Sequence, residues 1–94
     1  MTSVIFRIED DGEILAVFPF VPSSCSVVVY SHNGQHSSAD GTYIRDCTKP
    51  AAASDYASLL SELRSMGYKD LSILDRYPTH GEISRRRASN PENL

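Results

Sequence analysis

The fold is decided near the start of the chain, in residues 3–20, SVIFRIEDDGEILAVFPF. Ser3 to Ile8 alternates in polarity, with hydrophobic side chains on one face and Arg7 on the other, which is the pattern of a half-buried strand. Asp11-Gly12 predicts a tight type I′ turn, because both central residues of that turn need positive φ. The second strand, Glu13 to Phe20, is apolar on both faces and should therefore lie centrally in a sheet.

Further strands are predicted along the rest of the chain. Pro19 cannot donate a ladder hydrogen bond, so it should mark the end of the second strand. Cys25 to Tyr30 is rich in β-branched residues and predicts a third strand, after a turn at Val21 to Ser24. Thr42 to Cys47 is expected to add a short edge strand, and Asp70 to Leu74 a final one.

One segment, between Ala51 and Met66, carries a clear helical pattern. Its hydrophobic residues recur at i, i+3, i+4 and i+7, and they are Tyr56, Leu59, Leu60 and Leu63. Gly67 is placed to end this helix in the left-handed conformation. We expect the helix to cover one face of the sheet, with its three leucines buried.

The order β-β-β-(β)-α-β predicts an α+β fold, an antiparallel sheet of three to five strands with one helix packed on one face. The other face would remain for solvent or a partner. The predicted domain covers residues 1–76. No apolar period continues beyond Tyr77, so residues 77–94 are expected to form a flexible, polar and basic tail.

The composition limits the class of protein. A chain of 94 residues makes one small domain. Its longest apolar run is too short to cross a membrane and its start lacks a secretion signal, so we expect a cytoplasmic protein. Cys25 and Cys47 are then expected to remain thiols. The net charge of −3 argues against direct nucleic-acid binding, which needs clustered cations.

The best candidate site is the polar segment from Ser31 to Asp40, SHNGQHSSAD, which is expected to form a loop. The candidate binding residues of this region are His32, Asn33, Gln35, His36, Asp40 and the following Tyr43. A zinc site can be drawn from the two histidines with Asp40 or Cys47, but the spacing matches no zinc motif. Serine or cysteine catalysis would lack an evident oxyanion hole. We therefore predict no metal, cofactor or catalytic residue.

Charge is unevenly distributed along the chain. Four carboxylates gather at the first turn, in Glu9, Asp10, Asp11 and Glu13, and can either solvate that turn or imitate nucleic-acid phosphates on a basic partner. Arg85-Arg86-Arg87 forms a basic triplet near the other end.

The chain resembles a group of small uncharacterised proteins of bacteriophages, prophages and other mobile elements. The resemblance covers residues 4–75 by general pattern, without a catalytic signature, and rests on the following segments: Val4 to Arg7, Asp11 to Pro19, His32 to Asp40, Thr48 to Ala51, Tyr56 to Leu59 and Gly67-Tyr68. The chain departs from the group at Ala52-Ala53 and in its basic tail. The resemblance implies a context in which small binding proteins disable a host machine, as anti-CRISPR proteins do.

The sequence and the resemblance therefore favour a non-catalytic interaction module of anti-CRISPR type that blocks a host protein or nucleoprotein complex by occluding a surface. The contact would be the open sheet face or the polar loop, and the acidic turn would steer association. Two alternatives stay open. One is a small metal- or phosphate-dependent enzyme that uses the loop from His32 to Asp40, and the other is a nucleic-acid-binding accessory protein that uses the arginine triplet.

Overall fold

The structure, a computed structural model, describes residues 2–21, 27–31 and 36–89. The strands within these ranges are β1 (Thr2–Ile8), β2 (Ile14–Phe18), β3 (Val27–Tyr30), β4 (His36–Ala39), β5 (Lys49–Pro50) and β6 (Leu71–Ile73). The helices are α1 (Gly41–Cys47), α2 (Ala53–Ser65) and α3 (His80–Ser89). None of these helices has the length and apolar character needed to cross a membrane.

The strands form one sheet in the order β4-β3-β2-β1-β5, and β6 pairs with the same edge of β1 as β5 does. All neighbours are antiparallel except β6, which runs parallel to β1 with Thr2 opposite Leu71. The α+β class with a mainly antiparallel sheet is confirmed. The described sheet has six strands, one more than the upper limit of the predicted three to five. The extra strand arises because β5 and β6 pair with different parts of the same edge of β1.

The first hairpin is confirmed, but its turn is not type I′. Gly12 has φ +90°, and no other described residue of the turn has positive φ. The Gly12 N–H donates to the Glu9 carbonyl at 2.9 Å, and the Glu9 N–H donates to the Glu13 carbonyl at 2.9 Å. The loop therefore has three residues and ends in a left-handed glycine, so only the glycine needs positive φ.

Helix α2 packs on one face of the sheet, as the hydrophobic stripe predicts. Leu59 and Leu63 are fully buried against Val4, Phe6, Ala16, Phe18 and Tyr30, whereas Leu60 is half-buried at the border of this core. The Tyr56 ring stacks on Phe6 at 4.2 Å between centroids. Gly67 ends the helix with φ +114°, and the Tyr68 N–H donates to the Leu63 carbonyl, which completes a Schellman motif.

The opposite face of the sheet was expected to be open, and this expectation is wrong. A second buried cluster lies there, formed by Ile5, Leu15, Val17, Val27, Val29 and Ile44. Ile44 belongs to α1, and Tyr77 and Leu74 pack against the same cluster. Consequently β1 and β2 bury both of their faces, and the sheet offers no bare apolar face at these residues.

Two local predictions around the polar segment are also wrong. Thr42 to Cys47 is not an edge strand but lies in α1, because Asp40 caps the helix: its Oδ1 accepts from the Thr42 N–H at 2.8 Å and from the Tyr43 N–H at 3.3 Å. The polar loop is shorter than expected, since His36–Ala39 forms edge strand β4 and pairs with β3. Cys25, residues 22–24 of the predicted turn before it and residues 32–35 lie outside the described residues.

A third helix stands where no regular element was expected. Helix α3 begins at His80, and its first turn has a reciprocal pair of bonds: the Thr79 N–H donates to Glu82 Oε1 at 3.0 Å, and the Glu82 N–H donates to Thr79 Oγ1 at 3.1 Å. This helix was not predicted from the sequence, because capping starts it and its weak apolar pattern does not reveal it. The flexible tail over residues 77–94 stays a prediction.

A candidate binding surface at the acidic hairpin and helix α1

The acidic residues lie together at the β1–β2 turn. Asp11 Oδ1 accepts from the Glu13 N–H at 2.9 Å, which holds the turn in shape and leaves its carboxylates outside the sheet. Asp10, Asp11 and Glu13 are exposed, and Glu9 is half-buried at the base of the turn. The geometry of the hairpin therefore places three exposed carboxylates beside the half-buried Glu9.

Glu9 lies at the base of the turn, where its carboxyl group is partly buried. Burial raises its pKa, and the neighbouring charges of Asp11 and Glu13 raise it further, whereas a hydrogen bond from Tyr43 lowers it. The raised pKa means that the ionised Glu9 carries an electrostatic cost in the folded protein.

Tyr43 joins α1 to the hairpin. Its hydroxyl donates to Glu9 Oε1 at 3.4 Å, and the carboxylate raises the pKa of the Tyr43 hydroxyl. The Tyr43 side chain is nevertheless 47% exposed. An exposed aromatic ring thus stands beside the acidic turn. We call this group, Glu9, Asp10, Asp11, Glu13 and Tyr43, the acidic surface.

A buried arginine holds α1 in this position. Arg7 in β1 is 6% exposed, and its guanidinium donates to Thr48 Oγ1 at 2.9 Å, to the Thr48 carbonyl at 2.6 Å and to the Arg45 carbonyl at 3.2 Å. Burial lowers the pKa of Arg7, but an arginine remains charged at neutral pH. Its charge meets the carboxyl end of α1, where a cation is favourable. Sequence reasoning missed this role, since Arg7 had the pattern of an exposed residue.

The arginine triplet is largely occupied within the protein. Arg86 lies over the Phe20 ring at 4.4 Å from its centroid. Arg87 donates to the carbonyls of Pro19 and Val21 at 3.0 and 3.2 Å. These contacts fasten α3 to the segment that follows β2. The triplet therefore has a structural use that the sequence did not indicate, and among its members Arg85 alone has no described side-chain contact.

The structure brings together some of the predicted site residues and separates others. The four acidic residues and Tyr43 form the acidic surface. Asp40 begins the same helix as Tyr43, but its carboxylate is engaged in capping. His36 lies in β4 opposite Tyr30. His32, Asn33 and Gln35 lie outside the described residues, so the polar segment stays a prediction as a site.

One group of described residues has the geometry to approach a metal ion. Single ligand atoms of Glu9, Asp11 and Glu13 all lie within 4.8 Å of one another. Carboxylate oxygens are ligands for hard cations, but Ca²⁺ takes six to eight of them in all. Because the three groups lie at an exposed turn, the trio supplies only part of such a shell.

Comparison with protein-family models, with curated proteins and with solved structures finds no match to this chain.

Proposed function

We propose that this protein is a non-catalytic interaction module that docks its acidic surface onto a basic surface of a protein partner. The observation that carries the proposal is the contact between Tyr43 and Glu9, which places an exposed aromatic ring beside four carboxylates. Aromatic residues are enriched among the side chains that dominate binding energy, and clustered charge accelerates encounter with an oppositely charged surface. The second buried core removes the sheet face as an alternative contact.

The partner we propose is a host nucleoprotein complex. A carboxylate cluster on a firm turn can occupy a groove that otherwise holds nucleic-acid phosphates, since both present closely spaced negative charge. The resemblance to phage and mobile-element proteins supports an inhibitor of anti-CRISPR type acting in the bacterial cytoplasm. In this proposal the protein blocks the groove by occupying it, and no bond is made or broken.

Binding kinetics test the proposal. The partner is first captured from host lysate and identified by mass spectrometry, and surface plasmon resonance then compares wild-type protein with two variants. Replacing Asp10, Asp11 and Glu13 together by Ser should slow association about tenfold or more at low salt and flatten its salt dependence, because exposed charges act on encounter. Tyr43→Ala should instead speed dissociation, because it removes a central contact.

Asp75→Ser is the control for both variants, because Asp75 is an exposed carboxylate elsewhere on the protein. It should leave association and dissociation unchanged. A competition experiment completes the test. Nucleic acid that fills the partner's groove should displace the wild-type protein. Wild-type kinetics in both acidic-surface variants, or unhindered binding to a groove filled with nucleic acid, would refute the proposal.

A further inference from the structure

A polar cleft lies on the side of the molecule formed by α1, α3 and β3. It has a volume of about 110 Å³, and the residues that define it are Thr42, Arg45, Val27, Ile83, Ser84 and Arg87. A water molecule takes up about 30 Å³ in the liquid, so the cleft has room for about four water-sized atoms. That is the size of one tetrahedral oxyanion.

The charged residues that line the cleft, among those the structure describes, are all positive. Two guanidinium groups, those of Arg45 and Arg87, border the cleft, and no described carboxylate does. Arg45 also pairs with Asp46 at 3.0 Å, but both side chains are about half exposed. An exposed pair of this kind is worth at most about 1 kcal/mol, so it leaves most of the attraction of Arg45 for an anion in place.

Hydroxyl groups supplement the two cations. Thr42 and Ser84 border the cleft, and neither hydroxyl is bonded to another described residue. Nearby, the buried Tyr77 hydroxyl also has no hydrogen-bond partner among the described residues. Burial raises the pKa of Tyr77 and the charge of Asp40 raises it further, while the charges of Arg7, Arg87 and Arg45 lower it. Of these arginines, Arg87 and Arg45 border the cleft.

We propose that the cleft between α1 and α3 binds a phosphate group, held by the guanidinium groups of Arg45 and Arg87 and by the hydroxyl groups of Thr42 and Ser84. Arginine suits this ligand because its five N–H donors can serve several acceptors at once. Arg45 also donates to Asp46, and Arg87 Nη2 also donates to the carbonyls of Pro19 and Val21, so each would bind phosphate with its other donors. The neighbouring cleft of about 480 Å³ is a poorer candidate, since Asp75 and Glu82 border it along with Arg76 and Arg86. The phosphate site is independent of the acidic surface.

The test is a titration with inorganic phosphate at constant ionic strength, followed by amide chemical shifts of the full chain. Wild-type protein should show saturable shifts confined to α1, α3 and the start of β3. Arg45→Gln should weaken the apparent affinity about tenfold or more, because a hydrogen bond to a charged group is lost. Arg85→Gln is the matched control, since Arg85 lies on the same helix but does not border the cleft, and it should bind as wild type.

A double variant, Thr42→Val with Ser84→Ala, tests the hydroxyl groups without altering charge and should weaken binding at least threefold. A short single-stranded oligonucleotide then identifies the source of the phosphate. If it competes with inorganic phosphate, the site accepts a phosphodiester; if it does not, the ligand is a free phosphate. Absence of saturable binding, or an equal loss in Arg45→Gln and Arg85→Gln, overturns the proposal.

Discussion

At the scale of single residues, Arg7 shows how one buried side chain can hold a helix against the sheet. It is a charged side chain in the middle of an apolar strand, and the groups it bonds to are 38 and 41 residues away. Those partners are two carbonyls and a hydroxyl, with no carboxylate among them. Arg7 therefore acts as a fork-shaped donor that closes the end of α1, and the second core forms around it.

Replacing Arg7 by Ala should destabilise the protein by about 2 to 4 kcal/mol, because it leaves buried acceptors without donors and opens a cavity. Arg7→Lys should recover less than half of the loss, since an ammonium group cannot copy the fork. Urea unfolding measures both changes. Arg64→Ala, at an exposed position on α2, serves as control and should stay within about 0.5 kcal/mol of wild type. An Arg7→Ala variant as stable as that control would contradict the assignment.

Glu82 makes the start of α3 sensitive to acid. The Thr79 backbone N–H and the Arg76 guanidinium hold its pKa at about 2, below the ordinary value of 4.5. Because the folded pKa is the lower one, the stabilisation is complete above the unfolded pKa and is lost as the pH falls through the folded one. Amide exchange in α3, corrected for intrinsic rates, should therefore accelerate between about pH 5 and about pH 2. Glu82→Gln should show this faster exchange at every pH.

At the scale of elements, the apolar pattern predicts an element well only where hydrophobic packing holds it in place. The stripe of α2 and the alternation of β1 were sufficient, because both elements are held by burial. Helix α1 buries a single residue, Ile44, and both α1 and α3 begin at polar caps, Asp40 and the Thr79–Glu82 pair, and are held by carbonyl contacts of Arg7 and Arg87. Such partners are polar or distant in sequence, so the hydrophobic periodicity of a helix does not predict them.

The burial of both faces of β1 could not be predicted, for the same reason. A charge at position 7 suggests a solvent face, and its burial depends on the carbonyls of Arg45 and Thr48 and on the Thr48 hydroxyl. The acidic surface was predictable as a cluster of charge, whereas its contact with Tyr43 was not, since that residue was assigned to an edge strand. The cleft between α1 and α3 could not be predicted at all without those two helices.

Within α2, burial ranks the effects of truncating its leucines. Leu63→Ala should cost about 3 to 4 kcal/mol, because it empties a fully enclosed site. Leu60→Ala should cost roughly half as much, because Leu60 is only half-buried at the edge of the core. Urea denaturation of both variants checks the order. Equal losses, or a larger loss at Leu60, would mean that α2 is rotated about its axis relative to this structure.

At the scale of the whole molecule, the two cores share their sheet. Val4 and Phe6 of β1 face one core while Ile5 faces the other, and β2 divides in the same manner. Neither core can lose these strands without exposing the other. The described part of the chain should therefore unfold as one unit, although α2 and α1 lie on opposite faces.

Methyl resonances provide the measurement for this cooperativity. Leu63 reports on the α2 side and Ile44 on the α1 side, and their urea transitions should coincide with each other and with far-UV circular dichroism. Val17→Ala, which weakens the α1 side, should shift all three midpoints together. A variant in which the Ile44 transition moves alone would show that the cores are separable.

The parallel pairing of β6 with β1 has a consequence for synthesis of the protein on the ribosome. The β1–β2 hairpin is complete at Phe18, but the strand that covers the far edge of β1 ends only at Ile73. At typical translation rates the intervening residues take about 3 to 11 s to appear, and during this time the part of that edge formed by Thr2 to Val4 is bare. A chain shortened to end at Lys69 should reproduce that state permanently and sediment as larger species than the full chain. We therefore expect the yield of folded protein to depend on translation speed as well as on the stability of the finished fold.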